Sequence, residues 1–298
     1  MTPPRTPTRL YKYRAFNTNT LRLLTEAEVY YANPTSFNDP LDCSPTIQID
    51  VDRKSLEKLC YRMLVKVSGK ATAVDEINNH RYMSTEYGDY KTQPDVEDYY
   101  MRMLASHVKR LLYAELGGRG ILSLGQRWDC PLMWSHYADE HRGLCIEYSM
   151  TENACANLAP VNYKNPRSIK ISELIAWKID GSTDAETSVR HTFFFVKAPQ
   201  WRYEKEWREV VEKSGPSSAP FRVSAIYFGL RCDVSVITAL VKLHSNSNLP
   251  VKFYDVLPLD DTFRLKRQLV DTDEIEASGL RSSALLDFKD VFIDESVA

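Results

Sequence analysis

Cysteine is scarce in this chain of 298 residues, and none of the six (Cys43, Cys60, Cys130, Cys145, Cys155, Cys232) forms a CxxC pair. That excludes a disulfide-stapled scaffold and predicts a reduced, cytoplasmic setting. Charge of one sign is not in excess either. Lys plus Arg is 38 against 40 for Asp plus Glu, a net charge of −2. The basic footprint of a dedicated duplex-DNA binder is therefore missing. No apolar run approaches the ~18–20 residues of a membrane span. The opening MTPPRTPTRLYKY has no apolar core, so no signal peptide is expected. Neither an internal repeat nor a linker is visible. These absences predict a single α+β domain over residues 1–270, followed by an acidic tail, 271–298, with eight acids against Arg281 and Lys289.

Aromatic residues with polar tips are plentiful: seventeen tyrosines and five tryptophans. Such side chains fill core edges and also stack on planar ligands. Apolar residues recur at helical spacing through Leu56, Leu59, Cys60, Met63 and Leu64, and again from Val96 to Leu112. Residues 52–116 thus read as a helical insertion, interrupted by a polar, irregular stretch at 66–93. Pro94 opens its second helix and Gly117-Gly118 closes it. Thr20 is expected to cap a short helix. Strands are expected over Arg9–Phe16, Val29–Ala32, Ile121–Leu124, Leu144–Tyr148, Thr192–Val196, Arg208–Val211, Val223–Phe228, Val251–Val256 and Phe263–Val270. A helix capped by Asp233 interrupts the later ones.

Four segments carry candidate chemistry. In Tyr11-Lys12-Tyr13-Arg14, strand alternation puts the tyrosines on one face and the cations on the other, and an arginine at a strand end can clamp a phosphate. In Phe37–Asp42, Asn38, Asp39 and Asp42 suit a ribose, a cation or a turn. Trp128–His141 holds two Trp, two His, Ser135 and Tyr137. His136 and His141 are five apart, which does not fit HExxH-type zinc chemistry, and adjacent Ser135 and His136 diverge on a helix. Hydrogen bonding and stacking by Trp134, His136 and Tyr137 remain, and no metal site is expected. In Trp201–Arg208, Glu204 and Glu206 share a face if the strand starts early. Paired carboxylates can stabilise an oxocarbenium ion.

With ILSLGQRWDCPLMWSHYADEHRGLCIEY and AIYFGLR, these segments resemble an uncharacterised bacterial family, catalogued as domain-of-unknown-function family 2971. The order Arg14, Ser123, Glu204-Lys205-Glu206 is also similar, more distantly, to the arginine–serine–glutamate class of ADP-ribosyltransferases. Here Ser123 is followed by Leu124-Gly125 rather than Thr-Ser, and residues 52–116 are an addition to that class's minimal fold. This second resemblance implies an ADP-ribosyltransferase-like sheet core that consumes NAD as transferase or glycohydrolase, as a toxin or phage-defence effector. Glu206 would be the catalytic carboxylate and Glu204 would orient the acceptor. Arg14, Tyr11, Tyr13, Asn38, Asp39, Ser123, Trp134, His136, Tyr137 and Arg208 would bind the dinucleotide, with Tyr13, Trp134 or Tyr137 stacking on nicotinamide. The acceptor would be a protein or nucleic acid, with an antitoxin or other protein partner. Alternatives are a metal-dependent nuclease using Asp39, Asp42, Glu204 and Glu206, and a non-catalytic module binding a nucleotide or protein.

Overall fold

The computed structural model describes residues 7–85, 94–150, 158–245 and 250–278. In chain order they form β1 (Arg9–Arg14), α1 (Thr18–Thr25), β2 (Glu28–Tyr31), β3 (Thr46–Gln48), α2 (Arg53–Ser68), α3 (Lys70–Thr85), α4 (Pro94–Leu116), β4 (Gly120–Gly125), α5 (Pro131–Tyr137), β5 (Leu144–Ser149) and β6 (Ala159–Pro160). There follow β7 (Ser168–Lys170), α6 (Ile171–Lys178), α7 (Thr183–Phe195), β8 (Glu206–Val211), β9 (Gly215–Ser218), β10 (Arg222–Phe228), α8 (Val234–His244), β11 (Lys252–Pro258), β12 (Leu265–Leu269) and α9 (Thr272–Ala277). The mixed α+β class is as expected from the sequence. Among the described residues, no helix is long and apolar enough to cross a membrane.

The chain divides into two compact units, each assembled from separated stretches. The first comprises Met1–Thr8, Arg22–Arg127 and Met150–Pro220; the second comprises Arg9–Leu21, Trp128–Ser149 and Phe221–Ala298. Because both are discontinuous, a boundary leaves no linker to read in the sequence.

In the first unit, Asp52 caps α2 by accepting from Ser55 N at 2.9 Å. The helix then buries Leu56, Leu59, Cys60, Met63 and Leu64 along one stripe. Part of the expected irregular stretch is α3, which buries Ala73, Ile77, His80 and Ser84; residues 86–93 lie outside the description. Tyr100, Leu104, Val108 and Leu112 of α4 join the same core as Ile171 and Leu174 of α6 and Phe193 and Phe194 of α7. The stretch expected as an insertion therefore shares one core with later elements. The expected strand Thr192–Val196 is the end of α7. Ser182 caps that helix, Asp184 and Glu186 suit its first turn, and Val189, Phe193 and Phe194 fall on one buried stripe. Its Phe-Phe-Phe run looks strand-like only when read in isolation. Strand β4 pairs antiparallel with β8, β8 with β6, and β2 with β9, while β3 and β7 are parallel.

The second unit is built on the strand order β12-β11-β10-β5-β1. Only the β10–β11 pair is parallel, with α8 as the crossover. Strand β5 is buried at every position but Ser149, as a central strand covered on both faces must be. Asn17, rather than Thr20, caps α1: its carboxamide accepts from Thr20 N at 3.0 Å. Of the expected acidic tail, Asp271 to Ser278 are described, with Asp271 capping α9.

Two glycines allow close backbone approach in this unit. A Cβ on Gly229 would lie 2.2 Å from the His141 carbonyl oxygen, and one on Gly143 would lie 2.2 Å from that of Arg14. Backbone must move to relieve either contact. Gly229→Ala is expected to lower the urea-unfolding free energy by on the order of 1–3 kcal/mol. A change below a few tenths would show that the contact relaxes freely.

Candidate functional site

The sequence-predicted residues fall into two groups, one in each unit. In the first unit, β8 begins at Glu206 rather than earlier. Pro199–Glu204 forms a 3-10 turn, and Lys205 adopts the left-handed conformation with φ of 44°. That kink, and not strand alternation, turns the Glu204 and Glu206 carboxylates toward the same cation. Lys197 donates to Glu204 Oε2 at 2.5 Å and to Glu206 Oε2 at 3.0 Å, and lies 3.3 Å from Asp42 Oδ2.

Arg208, two residues along β8, points to the same side. Its Nε donates to Glu206 Oε1 at 2.8 Å, and its two terminal nitrogens grip Asp42 at 2.8 and 2.6 Å. Nη2 also donates to Glu206 Oε2 at 3.1 Å, and Nη1 also reaches the Phe194 carbonyl at 2.7 Å and Cys43 Sγ at 3.3 Å. The Arg208 side chain is 0% exposed, and those of Asp42, Glu204, Glu206 and Lys197 are between 3% and 6%. Bidentate arginine–carboxylate pairing is the strongest geometry for such groups.

Burial alone would raise the Glu206 carboxyl. The Arg208 and Lys197 charges, with hydrogen bonds from Arg208 and Ser123, outweigh it and hold the group well below the ordinary carboxylate range. Burial would likewise lower Lys197, but Glu206, Glu204 and Asp42 hold it above its ordinary value. Burial pushes the Cys43 thiol up, so it stays protonated. Tyr163 accepts from Glu206 N at 3.0 Å and fixes the first residue of the strand. Ser123 lies on β4 directly across from Arg208.

Asn38 is exposed. Asp39 is half-buried and accepts from Leu41 N at 2.8 Å and from Trp201 Nε1 at 2.7 Å. It thereby braces the indole whose ring centroid is 5.3 Å from Lys197 Nζ. Asp39 is thus a support for the cluster wall.

In the second unit, Tyr11 and Tyr13 are buried on one face of β1, with Lys12 and Arg14 half-buried between and after them. Tyr13 meets Trp134 edge to face at 5.2 Å, and Trp134 is 0% exposed. Trp134 also donates to the Trp128 carbonyl and stacks on His141 at 6.1 Å. These contacts correct the expectation that Tyr13 or Trp134 stacks on a ligand: their ring surface is taken up within the core. Tyr137 is half-buried and His136 exposed. Asp139, Glu140 and His141 are consecutively left-handed. This turn brings His141 Nε2 to 3.3 Å from the Ser135 hydroxyl. The His141 ring is held by its stack on Trp134, and among the described residues no carboxylate hydrogen-bonds its Nδ1 as the third member of a serine–histidine triad would.

Residues 133–209 match the family described as Protein of unknown function (DUF2971). No curated protein and no solved structure matches the chain. The DUF2971 stretch supplies Lys197, Glu204, Glu206 and Arg208 to the buried cluster, whereas Asp42, Cys43 and Ser123 come from upstream. Sequence reasoning missed Lys197, Tyr163 and Cys43. The one available signal was Lys197 itself, a cation directly after the apolar run Phe193–Val196.

Proposed function

We propose that the chain is an NAD-consuming enzyme, an ADP-ribosyltransferase or NAD glycohydrolase, with Glu206 as the carboxylate that acts on the nicotinamide ribose. The observation that carries this reading is the state of Glu206. It heads a strand, is kept ionised, and has its oxygens fixed by Arg208, Lys197 and Ser123. A pre-oriented negative charge shielded from water favours a transition state that develops positive charge. In the proposed reaction, the bond between ribose C1′ and the nicotinamide nitrogen breaks and its electron pair leaves with nicotinamide. The oxocarbenium ion at C1′ is then captured by water or by an acceptor nucleophile, which loses a proton. Arg208 and Lys197 hold Glu206 charged and fixed, and Lys197 fixes Glu204 beside it. The toxin or defence role, and a macromolecular acceptor, belong to this same reading.

Lys197 is also the basic residue that a metal-dependent nuclease built on these acids requires. The arrangement favours that alternative less. Asp42, Glu204 and Glu206 turn their oxygens onto Lys197 and Arg208. Among the described residues, the one group whose ligand atoms all lie within 4.8 Å of one another is elsewhere.

Nicotinamide release from NAD⁺ should be measured for wild type and Glu206→Gln, with and without cell lysate and with Mg²⁺ in a parallel arm. Release by wild type that is lost in the variant supports the proposal. Absence of release, with Mg²⁺-dependent cleavage of RNA or DNA, moves the assignment to the nuclease. Absence of both leaves a binding module.

A further inference from the structure

Helices α3 and α4 bring together three groups that the cluster around Glu206 does not use. Glu76 and His80 are four residues apart on α3, so they share a face one turn apart. His107 reaches them from α4. His80 Nε2 lies 2.7 Å from His107 Nδ1, and Glu76 Oε2 lies 4.0 Å from that same nitrogen. Both histidines are 8% exposed.

This is a costly way to bury two imidazoles. They share one hydrogen bond, and His80 Nδ1 has no partner. Buried polar atoms are ordinarily satisfied. Two nitrogens and a carboxylate oxygen within 4.8 Å of one another have a different natural complement. Zinc takes nitrogen at ~2.0–2.1 Å and carboxylate oxygen at ~2.0–2.2 Å, usually tetrahedrally. That geometry puts neighbouring ligand atoms about 3.3–3.4 Å apart. The imidazole nitrogens need to part by about 0.6 Å and Glu76 to close by about as much, shifts within rotamer adjustment.

We propose that Glu76, His80 and His107 bind a borderline divalent metal ion, zinc by preference, which ties α3 to α4. Two imidazoles and a carboxylate select such an ion over Mg²⁺ or Ca²⁺, which prefer all-oxygen sites. Three protein ligands leave a coordination position for water or a small anion. A cavity of about 560 Å³ opens at His80, lined also by Tyr99, Arg102, Met103, Ser106 and Arg110. Arg110 lines the same cavity; its charge opposes a cation there and that of Glu76 attracts one. No local spacing announces this site, since His80 and His107 lie on different helices.

The test uses the tag-free full chain after chelator treatment, titrated with Zn²⁺ by calorimetry and followed by thermal unfolding. Wild type should bind one equivalent. Its Tm should rise by roughly 5–10 °C at a hundredfold excess over Kd, and Mg²⁺ should give no shift. His107→Gln and Glu76→Gln should each weaken Zn²⁺ binding at least tenfold. Glu76 is half-buried, so Glu76→Gln reports binding even if the histidine variant folds poorly. Loading with Co²⁺ should give visible d–d absorption in wild type that the variants lose. No saturable Zn²⁺ binding by wild type, or wild-type affinity in Glu76→Gln, overturns the proposal. None of these readouts depends on NAD turnover.

Discussion

Replacing Arg208 with methionine is expected to cost about 3–5 kcal/mol of folding stability, because it removes one partner from a buried ion network. The guanidinium makes two bonds to Asp42, two to Glu206 and one to the Phe194 carbonyl, with the side chain fully buried. Methionine fills much of the volume but leaves Asp42 and Glu206 facing Lys197 alone. Three carboxylates would then share one cation in a region with little water to solvate them. Against a typical total of about 5–15 kcal/mol, that loss brings a domain near its unfolding threshold. Arg208→Lys should fall between wild type and methionine, since it restores the charge without the planar fork that grips two carboxylates at once. Urea unfolding followed by far-UV circular dichroism measures both. A loss under about 1 kcal/mol for Arg208→Met would be the value of a solvated surface pair, and the network would not be the internal brace its geometry describes.

The sequence foretold this cluster in part, and the limits have physical causes. Residues 201–208 and 37–42 were singled out for dense charge beside aromatics, and both segments deliver side chains to it: Glu204, Glu206 and Arg208 from one, Asp42 from the other. What joins them is tertiary. Lys197 is one cation after an apolar run, and nothing in its local pattern says that three carboxylates will surround it. The face shared by Glu204 and Glu206 was anticipated from strand alternation, yet it arises from a 3-10 turn and a left-handed Lys205. Two different backbones can give the same juxtaposition. Strands β4, β5, β8, β10 and β11 were legible because alternating or continuous apolar runs fix their pairing. Helix α7 was not, because Phe193–Phe195 carries strand propensity locally while its cap lies eleven residues upstream at Ser182. The stacking roles given to Tyr13 and Trp134 failed for another reason. Aromatic composition cannot tell a ring that fills core from one that meets a ligand.

Glu206→Gln is expected to lower nicotinamide release by about 10²–10³-fold, the usual cost of losing one electrostatic contact to a transition state. Glutamine keeps one oxygen for the Arg208 Nε bond but replaces the other, which accepts from Lys197 and Arg208, with an NH2. Stability falls, so activity is compared where circular dichroism shows both chains folded, and the loss should fall on kcat more than on KM. The pH dependence separates catalysis from folding. Glu206 has a folded-state pKa depressed by Arg208 and Lys197. Its stabilisation is therefore fully present above the unfolded value of about 4.3 and is lost as pH falls through the folded value. In wild type, the acid limb of activity should track the acid unfolding seen by circular dichroism, with no titration of Glu206 while the protein is folded. In Glu206→Gln, the dependence of stability on pH below about 4 should be shallower, by up to one proton. A wild-type activity profile with an acid-side midpoint between roughly 5 and 7, in a chain that stays folded there and loses that midpoint in Glu206→Gln, would mean that the carboxylate is protonated in the working enzyme. It would then act as an acid rather than as the fixed negative charge proposed for it.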